Sequence, residues 1–252
     1  MNRLLSPGLA GALVIAVAWQ VVGATGLAGP GIATPTAIVA GMVQDGWAYY
    51  GPHLLTTFQS AAVGYLWGNL AALGCAALVV TVPPLERVFV QIGVASACVP
   101  LIAIAPILSA VFNGQVISAI LAAISVFFIT LVGALNGLRQ TARTSADMIH
   151  AFGGNRLQLL RKVQFRYALP SILTALRIGV PGAVLGTIVG EFMGQRTGLG
   201  AALVVSQQQS DVARTWGIAL VAGLLTALLF LAMNVVSRRL VPWAPNEQEV
   251  RA

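Results

Sequence analysis

Charged side chains are scarce in this chain, at 8% of its residues, where a soluble globular domain carries about 25%. Acids number seven, histidines two and cysteines two, and Lys162 is the only lysine. Each shortage excludes a class of chemistry. Cys75 and Cys98 lie in separate apolar runs with no histidine or acid nearby, so they read as small packing residues rather than a disulfide or metal site. Two loop histidines, His53 and His150, cannot complete a metal-ligand set or a catalytic triad. Lys162 follows Arg161 and lacks the glycines of a phosphate-binding loop, so no ATPase motif is present. A proton relay needs carboxylates inside a helix bundle, and Glu191, the only acid near an apolar run, is peripheral.

What the chain has instead is oil. Mean hydropathy is +0.86. Its 252 residues allow one or two soluble domains, but repeated apolar runs override that prior and predict one all-α membrane domain over 1–252. Six spans are expected, at about 9–28, 57–82, 88–112, 116–138, 169–193 and 213–236. About 20 residues at 1.5 Å each cross a hydrocarbon core of about 30 Å. The first run exceeds the 7–15 apolar residues of a typical signal peptide, so it is expected to be a retained span.

The connections have their own character. Gly29-Pro30-Gly31 breaks the chain, and Thr36 to Tyr50, rich in Trp and Tyr, is expected to lie along the membrane surface, with His53 a solvated loop residue. Gly64, Gly68, Ala72 and Ala76 form a small-residue stripe, as do Gly182, Gly186, Gly190 and Gly194, each permitting close helix approach. Glu86 and Arg87 are expected to pair locally. Pro100 and Pro106 interrupt the third span, with Ser96 and Ser109 able to supply hydroxyls to the freed carbonyls. The interruption is either a packing kink or part of a pathway lining. Arg177, about two turns past Pro170, either snorkels to the headgroups or bonds a carbonyl. A loose tail is expected from Val241 to Ala252.

One long polar segment remains, the loop 139–168. Arg139, Arg143, Arg156, Arg161, Lys162 and Arg166 oppose a single acid there, Asp147. Thr144 or Ser145 can cap a helix with Met148, Ile149, Ala151 and Phe152 as its apolar positions, and Gly153-Gly154 ends it. Asn155 can cap a second, with Leu157, Leu160 and Val163 on one side. Two short helices about a glycine hinge look like a docking surface. Six spans place both termini, Arg3, Arg87, this loop and Arg238-Arg239 on one side. The positive-inside rule makes that side cytoplasmic, which accounts for the net charge of +7 without nucleic acid.

In these residues the chain resembles the permeases of binding-protein-dependent ABC importers. Their cytoplasmic EAA motif has an acid, two small residues, three variable ones, then glycine, and later leucine-proline. Asp147 takes the acidic place, Gly153 falls six residues on, and Leu169-Pro170 closes the motif. Met148-Ile149 stand where alanines are usual, and Phe165-Arg166 where many members have Leu-Pro. The run from Arg156 to Val163 resembles the nitrate, sulfonate and taurine branch, as does Glu191 ahead of Gly198-Leu199-Gly200.

The resemblance spans about residues 35–242 and implies a type I permease fold in a prokaryotic cytoplasmic (inner) membrane. It implies a second permease subunit, identical or paralogous, two ATP-binding subunits that hold ATP and magnesium, and an extracytoplasmic solute-binding protein. It makes the helix about Ser145 to Phe152 a coupling helix, with Met148, Ile149 and Phe152 as anchors. Asp147, His150, Gly153, Gly154, Arg156 and Arg161 belong to the same ATPase contact. Ser96, Pro100, Pro106, Arg177, Gly182, Gly186 and Gly190 become candidates for pathway or helix packing, and Glu191 and Arg196 for the external face. As a bare feature, Glu191 pairs with Arg196 instead. The implied solutes are small organic molecules or anions of the sulfonate, taurine, nitrate or vitamin-precursor kind. An ATP-independent channel or secondary carrier, and a docking scaffold, are the competing readings.

Overall fold

A computed structural model describes residues 7–27, 29–140, 149, 151–193 and 195–242. Among them every regular element is helical.

Helix α1 (Pro7–Thr25) leads through glycines with positive φ, Gly26 and Gly29, back onto the start of α2 (Pro35–Thr81). Trp19 Nε1 donates to the Ala33 carbonyl at 3.1 Å, and Thr34 caps α2 by accepting from Ala37 N. The expected surface stretch and second span prove to be one rod of 47 residues. At 1.5 Å per residue it would run about 70 Å, far more than a bilayer, and Gly46 breaks it at φ 63, where only glycine sits without strain. Pro52 and His53 lie within the helix, so His53 is not a loop residue.

The third expected span is two helices, α3 (Glu86–Cys98) and α4 (Leu101–Ser109), which meet at 91°. Only Pro100 makes the break. Val99 takes the extended conformation imposed by a following proline, while Pro106 stays inside α4. The serine hydroxyls do not reach the carbonyls that the prolines release. Ser96 Oγ donates to Gly93 O and Ser109 Oγ to Pro106 O, each at 2.7 Å. Glu86 pairs not with Arg87 but with Arg139, at the end of α5 (Gly114–Arg139).

Helix α5 is the centre of the bundle, held between two ridges of small residues. A Cβ on Gly64 or Gly68 of α2 would run into the backbone of Ala119 or Ala123. On the other flank stands α7 (Phe165–Glu191), where a Cβ on Gly186 or Gly190 would collide with Leu121 and Ser118. The ridges therefore work within the chain, although Gly182 is looser, 3.7 Å from Ser125, and Gly194 lies outside the described residues. Ala72, Ala76, Leu131, Ala134, Leu138, Ala168 and Ile172 close the core, with half-buried Cys75 against it. Two polar links tie α2 to its neighbours, Thr130 Oγ1 donating to Asn69 Oδ1 at 2.5 Å and Tyr65 OH to Leu176 O, and Asn69 Nδ2 donates to Tyr65 O within α2, joining them.

The second short helix expected after Asn155 is not separate. Helix α6 (Arg156–Leu159) runs through a π turn, Leu160–Gln164, straight into α7. Helix α8 (Leu199–Gln208), which the sequence pattern did not suggest, and α9 (Val212–Leu240) complete the chain. Among the described residues, four stretches are long and apolar enough to cross a membrane: α2, α5, Leu157–Glu191 and α9. The bent pair α3–α4 makes a fifth, and Gly11–Thr25 is a shorter apolar helix. The protein is an all-α, multi-pass membrane protein.

Candidate functional site

At the polar loop, Asp147, Met148 and His150 fall outside the described residues, and only the backbone of Arg156 is described. What is described is a helix ending. Gly153 has φ +74, and Gly154 N donates to Ile149 O at 2.8 Å, the six-to-one bond of a Schellman motif with glycine at its left-handed position. Phe152 stands 86% exposed beside it, an apolar ring offered to solvent. Asn155 and Gln158 then exchange two bonds of 2.9 Å, Oδ1 accepting from Gln158 N and Oε1 from Asn155 N. This capping box starts α6 directly after the hinge. Arg161, in the π turn, borders a crevice with Leu73, Leu138, Leu160 and Phe165.

At the opposite end of α7, Glu191 is 1% exposed. Thr57 Oγ1 donates to its two carboxylate oxygens at 2.8 and 3.0 Å, and Gly200 N donates to Oε2 at 2.7 Å. The same threonine oxygen accepts from Leu199 N at 2.8 Å, while His53 Nδ1 accepts from Gly198 N at 3.1 Å. Gly198 (φ +124) and Gly200 are packed so close to Glu191 that neither has room for a Cβ. The carboxylate thus pins the start of α8 to α2 and α7. Its expected partner Arg196 is exposed and takes no part in these bonds. Sequence reasoning missed Thr57 and His53. The signal was available, because an acid in an apolar run needs donors from a neighbouring helix.

Nearby, Arg214 binds Asp45 through both Nε and Nη2, at 2.8 and 2.7 Å, and Asp211 at 3.3 Å, with its guanidinium 5.1 Å from the Tyr49 ring centre. These contacts fasten the segment before Gly46 to the start of α9.

Arg177 does not snorkel. Its Nη1 donates to Asn234 Oδ1 at 3.0 Å and its guanidinium stacks 5.7 Å from the Phe230 ring centre, so it is held against α9. The opposite flank of α7 faces a furrow. Beside the Pro100 break lies a cavity of about 270 Å³ lined by Ser96, Val99, Leu101, Ser125, Phe128 and Gly182, among others. A second, of about 510 Å³, shares Phe128 and Ile129 with it and continues past Gly133 to Asn136, Gln140, Ser171 and Thr174. Of the expected pathway residues, Ser96 and Gly182 line this furrow and Pro100 makes its break. Gly186 and Gly190 are buried in helix contact, and Pro106 lies farther along α4.

Residues 33–244 match the model of a family described as the binding-protein-dependent transport system inner membrane component. The chain is 29% identical to the riboflavin transport system permease protein of Chloroflexus aurantiacus over 76% of its own length and 72% of that protein's. It is 28% identical to the formylaminopyrimidine transport permease protein of Halalkalibacterium halodurans, over 85% and 86% of the two chains. With the putative aliphatic sulfonates transport permease protein of Bacillus subtilis it shares 26% identity over 96% and 87%.

Proposed function

Since this chain belongs to the inner membrane components of binding-protein-dependent transport systems, with the type I ABC importer permease fold, we propose that it forms half of a solute pathway driven by a separate ATP-binding subunit. Two permease subunits, identical or paralogous, would make the pathway. Two ATP-binding subunits would hold the ATP and magnesium, and an extracytoplasmic binding protein would deliver solute. The relatives' names extend from riboflavin and formylaminopyrimidine to aliphatic sulfonates, so the solute is a small organic molecule or anion of those kinds. Both termini and the polar loop face the cytoplasm.

One observation carries the coupling role. The exposed Phe152 sits on a helix end fixed by Gly153, and the capping box behind it leads without interruption through α6 and the π turn into α7. A helix anchored in a groove of the ATPase by Met148, Ile149 and Phe152 would therefore push on a long lever rather than a slack loop. Asp147, Arg156 and Arg161 would bond at the rim of that contact or fix the loop, with His150 part of the same contact. Closure of the ATPase pair would swing α7 and alternate access to the pathway.

The test is co-expression with a neighbouring ATPase, followed by reconstitution in lipid. A co-purifying ATPase whose hydrolysis rises when solute-loaded binding protein is added is the expected result. No such partner and no stimulation would leave an ATP-independent channel or carrier as the better reading.

A further inference from the structure

The furrow beside the broken helix carries chemistry that bears on the solute. Among the described residues, none of the side chains lining its two cavities is charged. The one arginine at comparable depth in α7, Arg177, is held on the far flank by Asn234 and Phe230. An anion leaving water for such a site would lose its hydration without gaining a counter-charge.

The furrow does offer hydrogen bonds. The break brings the last turn of α3 and the first turn of α4 to one cavity, with Ser96 and Val99 on one side and Leu101 on the other. A helix C-terminus presents unpaired carbonyls and an N-terminus unpaired N–H groups, so acceptors and donors stand side by side and their opposite partial charges offset. In a membrane, such backbone groups persist where they meet protein or a wet cavity. Phe128 borders both cavities and gives a flat apolar surface between them. Asn136, Gln140, Ser171 and Thr174 make the lower end polar but still neutral. A wider furrow between α2 and α5, about 660 Å³, has no helix break and lacks this pairing of donors with acceptors.

We propose that the furrow formed by α3–α4, α5 and α7 lines this subunit's share of the pathway and passes an uncharged, planar solute with both donor and acceptor edges, such as a pyrimidine or larger nitrogen heterocycle, in preference to a sulfonate or other anion. This deepens the importer reading and rests on it.

The complex with its ATP-binding subunit and binding protein, in proteoliposomes, is offered four labelled probes: riboflavin, a hydroxymethylpyrimidine, ethanesulfonate and taurine. ATP-dependent uptake of a heterocycle at least ten-fold above both sulfonates is expected. Equal uptake, uptake confined to the sulfonates, or uptake of none while loaded binding protein still stimulates hydrolysis overturns the solute assignment and leaves the importer reading standing. Loss of stimulation as well removes both. A second readout needs no solute. In a C75A/C98A background, cysteines at Ser96→Cys and Thr174→Cys should react with a membrane-impermeant thiol reagent, and Leu231→Cys on α9 should not. Protection of both furrow positions would overturn the inference, since the furrow would then be dry.

Discussion

Glu191 is the side chain with the most to lose at the scale of single residues. All its bonds come from donors, Thr57 Oγ1 and Gly200 N, so the carboxyl works here purely as an acceptor. Glu191→Ala would leave both donors buried without partners, at about 1–3 kcal/mol each, and add a cavity. Glu191→Gln keeps the shape and one acceptor oxygen but turns an N–H₂ toward a donor, so its loss should be smaller. The expected order of melting temperature in detergent is therefore parent, Gln, Ala; equal melting of Ala variant and parent would mean that the network contributes nothing. Gly153 calls for a different readout. Valine there must adopt φ near +74, which costs a β-branched residue at least about 1–2 kcal/mol locally. That strain falls on an exposed helix end, far from the core. Gly153→Val is thus expected to insert normally and to lose ATP-dependent uptake by ten-fold or more, and unchanged uptake would remove the coupling assignment.

Helix pairing makes sharper distinctions than the glycine spacing suggested. The four-residue interval of Gly182, Gly186 and Gly190 was plain in the sequence, yet the three are not equivalent against α5. A Cβ at Gly186 meets the Leu121 carbonyl and one at Gly190 the Ser118 backbone, and neither can give way without moving a helix. At Gly182 the nearest atom is 3.7 Å away. Gly186→Ala and Gly190→Ala should each destabilise by about 1–3 kcal/mol through overpacking. Gly182→Ala should lie within about 1 kcal/mol of the parent, on the stabilising side, because alanine is the better helix former. Thermal melting of the three variants checks this, and equal losses at all three would refute it. Spacing could locate the ridge because it is a property of one helix. Distances to α5 depend on two helices and on where their ridges cross, which a single sequence does not encode. The same limit hid Thr57 as a partner of Glu191, Asn234 as that of Arg177 and Arg139 as that of Glu86, all of them distant in the chain. It did not hide Gly153 or the Asn155 cap, whose partners lie within five residues, although the return bond from Gln158 that completes the box was not foreseen. Helix ends followed a similar rule: Pro100 stopped a helix as expected, whereas Pro52, Pro106, Pro170 and Pro181 remain inside helices because packing overrides local preference.

For the molecule as a whole, the placement of charge decides which way the bundle faces. On the side of Asp45, Asp211 and Arg214, the arginine is bonded to both acids, so that cluster adds no positive excess. At the other end, Glu86 neutralises Arg139, yet Arg143, Arg156, Arg161, Lys162 and Arg166 stand in the 139–168 segment with only Asp147 as an acid among them, and Arg238-Arg239 lie in the last turn of α9. The difference is large and lies close to the helix ends, where basic residues govern orientation. Pairing seen in the structure strengthens the bias that a residue count implies, because Arg214, on the less basic side, is already held by carboxylates and leaves Arg196 as the exposed arginine there. Reporter fusions test the result. Alkaline phosphatase joined after Gln209 should be active and joined after Leu240 inactive, with green fluorescence showing the reverse pattern. Replacing Arg238 and Arg239 with glutamine should leave that pattern intact, since the central loop alone keeps the excess. Also exchanging Arg161, Lys162 and Arg166 for glutamine should produce a measurable misoriented fraction. An unchanged pattern in that five-fold variant would mean that something other than these charges, such as the first helix, sets the topology.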